Sequence, residues 1–92
     1  MNILKGLRNQ IDLIDSDIVT LVDKRMQVVK EVGRYKSVNN IAPLDAKRWD
    51  EVVKSRVSQG KKVGLSERLI TEIFESIHRE ALEVESKIQN EK

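Results

Sequence analysis

The sequence predicts an all-α fold: three helices, the first of them long, paired across a two-fold homodimer. Three observations carry this reading. Apolar residues recur at intervals of three and four along most of the chain. One proline and four glycines leave few places where a helix must break, and no run alternates apolar and polar residues as a half-buried strand does. The 92 residues give room for one domain with one modest core, so residues 1–92 are read as a single domain.

The first helix is expected from about Ile3 to about Ser37. Its seam runs Leu4, Leu7, Ile11, Ile14, Ile18, Leu21, Arg25, Val28, Val32, Tyr35, with a second stripe at Val19, Val22, Met26 and Val29. At about 1.5 Å per residue such a helix spans roughly 50 Å. Two shorter helices of the same chain leave part of both stripes in water, and a second copy of the chain covers them economically.

The second helix is expected from about Ala46 to about Gln59. Pro43 ends the linker before it, Asp45 is its N-cap, and Leu44 and Trp49 stand where a hydrophobic staple places its two residues. The third, from about Glu67 to about Gln89, opens in the same way with Ser66, Leu65 and Ile70. Its apolar stripe is Ile70, Phe74, Ile77, Ala81, Val84 and Ile88. "GKKVG", residues 60–64, reads as an exposed loop, and "ESKIQNEK", residues 85–92, as a fraying polar end.

Composition removes several functions. Lysine and arginine total 17 against 15 acids, a net charge of +2 on a chain that is 35% charged; nucleic acid is not an expected partner, because tracking phosphates takes a face of cations with few acids among them. Cysteine is absent and histidine occurs once, which leaves no disulfide, no thiol nucleophile and no Cys- or His-rich metal site. No metal and no cofactor is expected. No apolar run approaches the roughly 18 residues of a membrane span, and the N-terminus lacks a signal-peptide pattern, so a soluble cytoplasmic protein is expected.

One residue breaks the seam. Arg25 stands where a leucine belongs, and a guanidinium there costs several kcal/mol unless an anion meets it. A structural ion pair or register-setting polar residue is the plain reading of Arg25 taken alone, and an anionic ligand is the other. Lys36 lies three turns further on, about 16 Å along the axis and only ~20° round it, so two cations face one region, as a small dianion requires. Arg8 lies about 25 Å from Arg25 and points roughly 100° away; it reaches that region only from an antiparallel partner.

The residues "LR" at 7–8, "DKRMQVVKEVGRYK" at 23–36, "DAKRWDEV" at 45–52 and "IFESIHREALEVESK" at 73–87 together resemble the all-helical chorismate mutases. The resemblance covers Leu7 to about Ile88, and its specificity lies in the ordered set of cations. It implies an intertwined homodimer with two equivalent sites, each receiving Arg8 from the partner. It further implies that Arg25 binds substrate, that Lys36 meets the ether oxygen and a carboxylate, that Asp45 and Arg48 open the second helix at the site, and that Gly33 permits close packing. Lys36, Glu85 and Arg25 are the implied catalytic group.

Three positions depart from the common bacterial pattern. Trp49 replaces a glutamate that receives the substrate's ring hydroxyl, and an indole cannot accept that bond. Ala81 replaces a serine found in some members. Glu85 replaces a glutamine, as in eukaryotic members.

The implied reaction, chorismate to prephenate in aromatic amino acid biosynthesis, is a unimolecular rearrangement. It asks a protein to hold an extended dicarboxylate in a compact chair and to stabilise charge growing on the ether oxygen. Arginine forks suit the carboxylates and a lysine donor suits the oxygen. Glu85 helps only in its acid form, so turnover is expected to rise toward acid pH. Two other functions fit the same scaffold: pyruvate elimination from isochorismate, and a non-catalytic dimerisation or regulatory module, including one fused to or associated with another shikimate-pathway enzyme. His78 is read as a rim or interface residue, Trp49 as a core or pocket-wall aromatic, and Arg56 as snorkelling to solvent.

Overall fold

The computed structural model describes residues 2–91, and among these every regular element is helical: α1 Ile3–Val38, α2 Ala46–Lys62 and α3 Glu67–Asn90. The three expected helices are all present. Each N-terminus is closed by a side chain accepting an orphan amide: Asn2 takes Lys5 N–H at 3.0 Å, Asp45 takes Arg48 N–H at 3.0 Å, and Ser66 takes Leu69 N–H at 3.1 Å.

α1 and α2 both end in the same way. At the end of α1, Ile41 N–H returns to the Lys36 carbonyl at 2.8 Å and Asn40 N–H to the Ser37 carbonyl at 3.4 Å, with Asn40 left-handed at φ 57°. At the end of α2, Leu65 N–H reaches the Gly60 carbonyl and Gly64 N–H the Lys61 carbonyl, with Gly64 at φ 83°. These paired bonds satisfy the last carbonyls and turn the chain sharply.

Two expectations at helix ends are corrected. "GKKVG" is not an exposed loop as a whole, because α2 runs on through Lys62. Gly60 stays helical and buried under the next helix: a Cβ there would lie 2.6 Å from Ile70 Cγ1. The glycine thus serves close packing, and only Gly64 makes the turn. The polar end does not fray at Glu85 either, since α3 continues to Asn90. Glu85 is buried and Gln89 Nε2 donates to the Ile41 carbonyl, tying the end of α3 to the α1–α2 linker; Lys92 lies outside the described residues.

α3 is the middle of the chain's packing, touching α1 on one side and α2 on the other, while α1 and α2 make no backbone approach to each other. Within the chain it is the C-terminal part of the second stripe of α1 that turns inward, while Val19 stays exposed. Val22, Met26 and Val29 are half-buried beside Gly33 and Ser37, while Leu21, Val28, Val32 and Tyr35 on the main seam stay exposed. Gly33 permits this contact, because a Cβ there would meet Ile88 Cδ1 at 3.0 Å and Glu85 Cα at 3.3 Å.

The core is small. Val52, Ile70 and Ala81 are its buried apolar residues, and among the described residues no large side chain is fully enclosed. The molecule measures 59 × 26 × 14 Å, and every residue from Asn2 to Leu21 is exposed. Its surface is 7313 Å², against about 5,500 Å² for a compact folded monomer of this size.

Candidate functional site

The inner stripe of α1, the start of α2 and the middle of α3 enclose a cleft of about 200 Å³. Seven of the eight residues singled out from the sequence line it: Arg25 and Lys36 from α1, Asp45, Arg48 and Trp49 from the start of α2, and Ala81 and Glu85 from α3. Arg8 does not. It sits on the exposed N-terminal half of α1, away from the cleft of its own chain.

The end of the cleft nearest the α1–α2 linker is built around Lys36. Its ammonium donates to the Pro43 carbonyl at 2.6 Å and lies 2.8 Å from Glu85 Oε1. The second contact is one of charge, without the angles of a hydrogen bond, and Oε1 accepts none among the described residues. Glu85 is 7% exposed, so it is not a solvated glutamate on a helix flank. An ammonium has three donors; one is spent on Pro43, and the rest face Glu85 and the cleft.

Arg25 stands apart from any acid. No carboxylate of the described residues pairs with it, and no hydrogen bond holds its guanidinium. Its pKa is pulled down, first by desolvation and then by the like charges of Arg56 and Arg48. Among the described residues of one chain the seam arginine is not part of an ion pair. Cations converge here with less acid than they need.

Asp45 has a second task in this geometry. Its Oδ1 holds the Arg48 amide as the α2 cap, which fixes the first turn of α2 and sets Arg48 at the cleft. Lys36 and Gln89 in turn fasten the linker through the Pro43 and Ile41 carbonyls, so the start of α2 is placed from both α1 and α3.

The far wall holds two aromatic rings. Trp49 and His78 stack face to face, centroids 4.0 Å apart and planes 6° from parallel. Trp49 is the expected wall aromatic. His78 lines the cleft itself rather than only its rim; its spacing of seven residues before Glu85 puts both on one face of α3. That spacing was the available signal for it, whereas nothing in the sequence marked the Pro43 carbonyl. The His78 pKa is lowered, chiefly by desolvation, with Arg25 and Lys36 lowering it further and Glu85 opposing. Arg56 does not simply reach solvent: its guanidinium lies 6.0 Å from the centre of the Phe74 ring.

Fold and site together define an all-α domain with a cation-lined cleft between three helices. The chain belongs to the chorismate mutase type II family, whose model matches residues 7–86. It is 30% identical over 81 residues to the T-protein of Haemophilus influenzae, covering 88% of this chain and 22% of that protein. It is 31% identical over 87 residues to the bifunctional chorismate mutase/prephenate dehydratase of Buchnera aphidicola from Acyrthosiphon pisum, covering 95% and 23%. The protein of the same description from Aquifex aeolicus is 29% identical over 92 residues, covering 97% and 25%. The chain thus spans a quarter or less of the length of these curated relatives. Among the described residues, no helix is long and apolar enough to cross a membrane.

Proposed function

We propose that this chain is a chorismate mutase of aromatic amino acid biosynthesis, converting chorismate to prephenate without a cofactor in a single domain. The observation that carries the reading is Arg25: a partly desolvated guanidinium with no carboxylate partner among the described residues, lining the same cleft as Lys36 and Arg48. Two carboxylates of a substrate supply the missing anions. Arg25 and Arg48 grip them, and Lys36, already oriented by Pro43, offers a donor to the ether oxygen as its C–O bond breaks. Glu85 stands beside Lys36 at that end of the cleft, while Val29, Val32, Val52, Ala81 and Leu82 give it apolar walls.

The working unit is a homodimer. The surface beyond that of a compact monomer is roughly 1,800 Å² per chain, and burying it between two copies falls in the range of obligate dimers. Leu4, Leu7, Ile11, Ile14 and Ile18 supply an exposed apolar face for such pairing. An antiparallel arrangement carries Arg8 to the partner's cleft. The bifunctional relatives support fusion to, or association with, another enzyme of the same pathway, and a cytoplasmic location belongs to the same reading.

The test is incubation of the purified chain with chorismate alone, followed by ultraviolet absorbance and by assay of the product. Loss of chorismate with appearance of prephenate is expected. Pyruvate release from isochorismate in its place indicates a lyase, and binding of chorismate without turnover indicates a regulatory module; either overturns the proposal.

A further inference from the structure

We infer that His78 accepts the ring hydroxyl of the substrate, with Trp49 holding the imidazole in place; the inference rests on the reading of the cleft as a chorismate site. Chorismate presents two carboxylates and an ether oxygen, all acceptors, and these call for the donors Arg25, Arg48 and Lys36. Its ring hydroxyl alone brings a proton that needs an acceptor. Four acceptors line the cleft: Asp45, the Pro43 carbonyl, Glu85 and His78.

Three of the four already face a partner within the chain, Glu85 by charge alone. Asp45 Oδ1 holds the amide of Arg48, the Pro43 carbonyl takes Lys36, and Glu85 faces the Lys36 ammonium. The ring nitrogens of His78 make no hydrogen bond among the described residues. Position is compatible with this role. His78 precedes Glu85 by two turns on one face of α3, about 10 Å along the axis, so both side chains face the one cleft, where the ring hydroxyl of chorismate lies on the carbon next to the one that bears the ether oxygen.

The stack decides which part of the imidazole meets a ligand. Trp49 covers one face of the ring at 4.0 Å, which restrains its plane and leaves the edge with its nitrogens to serve. Trp49 itself has only a donor N–H, so of the two rings only His78 can accept. Leu82, Trp49 and His78 also border a hollow on the outer side, with Glu75 and Arg79, so the stacked pair forms the partition between cleft and exterior.

Protonation state supports the assignment. Arg25 and Lys36 on α1 oppose an imidazolium, Glu85 on α3 favours it, and Arg48 and Asp45 on α2 bring one charge of each sign to the same cleft. Desolvation outweighs the Glu85 attraction and lowers the pKa from its ordinary 6.5. Near neutral pH the ring is therefore uncharged and keeps one acceptor nitrogen.

The test compares His78→Phe and His78→Gln on chorismate and on the same diacid lacking the ring hydroxyl. Phenylalanine preserves the stack without an acceptor, whereas glutamine restores an acceptor without the ring. His78→Phe is expected to lose about tenfold in kcat/KM on chorismate and to change by less than about twofold on the deoxy analogue, with His78→Gln retaining most of the wild-type preference for the hydroxyl. Equal losses of His78→Phe on both ligands, or no loss on chorismate, overturn the assignment while leaving the mutase reading intact. A wild-type chain inert toward chorismate overturns both.

Discussion

Arg25→Met separates ligand binding from folding most cleanly. Methionine has a similar reach, is unbranched and suits an apolar seam. In the unliganded chain Arg25 is desolvated, has Arg56 and Arg48 for electrostatic neighbours and lacks a pairing acid, so its removal relieves repulsion and breaks no bond. Because the residue is only half-buried, solvent screens much of that repulsion, and a gain of about 0.5–1 kcal/mol in stability is expected. Activity moves the other way. A guanidinium gripping a carboxylate makes two charge-assisted bonds, each about 1.5–3 kcal/mol. Losing both lowers kcat/KM by about 10²- to 10⁴-fold. Urea unfolding at one fixed protein concentration and chorismate consumption measure the two effects. A variant destabilised by more than about 1 kcal/mol that still turns over refutes the reasoning, for Arg25 would then be structural.

Glu85→Gln exchanges a carboxylate that accepts for an amide that also donates, so turnover of chorismate is expected to be kept or raised; a loss of turnover counts against a donor role at that position. Arg8→Ala and Arg25→Ala are each expected to be inactive, yet a 1:1 mixture that exchanges subunits should regain about a quarter of the sites, since half of the dimers are mixed and each has one intact site. No recovery in mixtures shown to exchange counts against donation of Arg8 across the dimer. Gly33→Ala places a Cβ 3.3 Å from Glu85 Cα; overpacking of about 1–3 kcal/mol is partly offset by a helix preference of about 0.8–1 kcal/mol, so turnover should fall more than stability. For His78, whose folded pKa lies below its unfolded value, the unfolded chain takes up the proton first. Stability should therefore be full above about pH 6.5 and decline below it, and His78→Phe should lessen that decline in unfolding followed by Trp49 fluorescence.

Periodicity and caps made the helices legible. Asp45 and Ser66 stand at the expected starts of α2 and α3, and Asn2 adds a cap of the same kind for α1. Arg25 stood out as a charge in an apolar row and helical spacing put Lys36 on nearly the same face, whereas Asp45, Arg48, Trp49, Ala81 and Glu85 were legible through the family resemblance. The rest depended on tertiary contact. Whether Gly60 ends a helix or lets another pass close by is decided by Ile70, ten residues away in sequence. The Lys36–Pro43 bond depends on the path of the linker, and the Trp49–His78 stack on how α2 lies against α3. Spacing along a single helix carries none of that information.

The half of α1 that hides nothing within its own chain has a consequence for how the protein is handled. Where the fold is finished only by meeting another copy, the amount of protein in the tube becomes a reagent. Specific activity should sag as the preparation is diluted toward the dissociation constant of the pair and return on concentration, so a weak catalyst and a thin solution can give the same reading until both are measured.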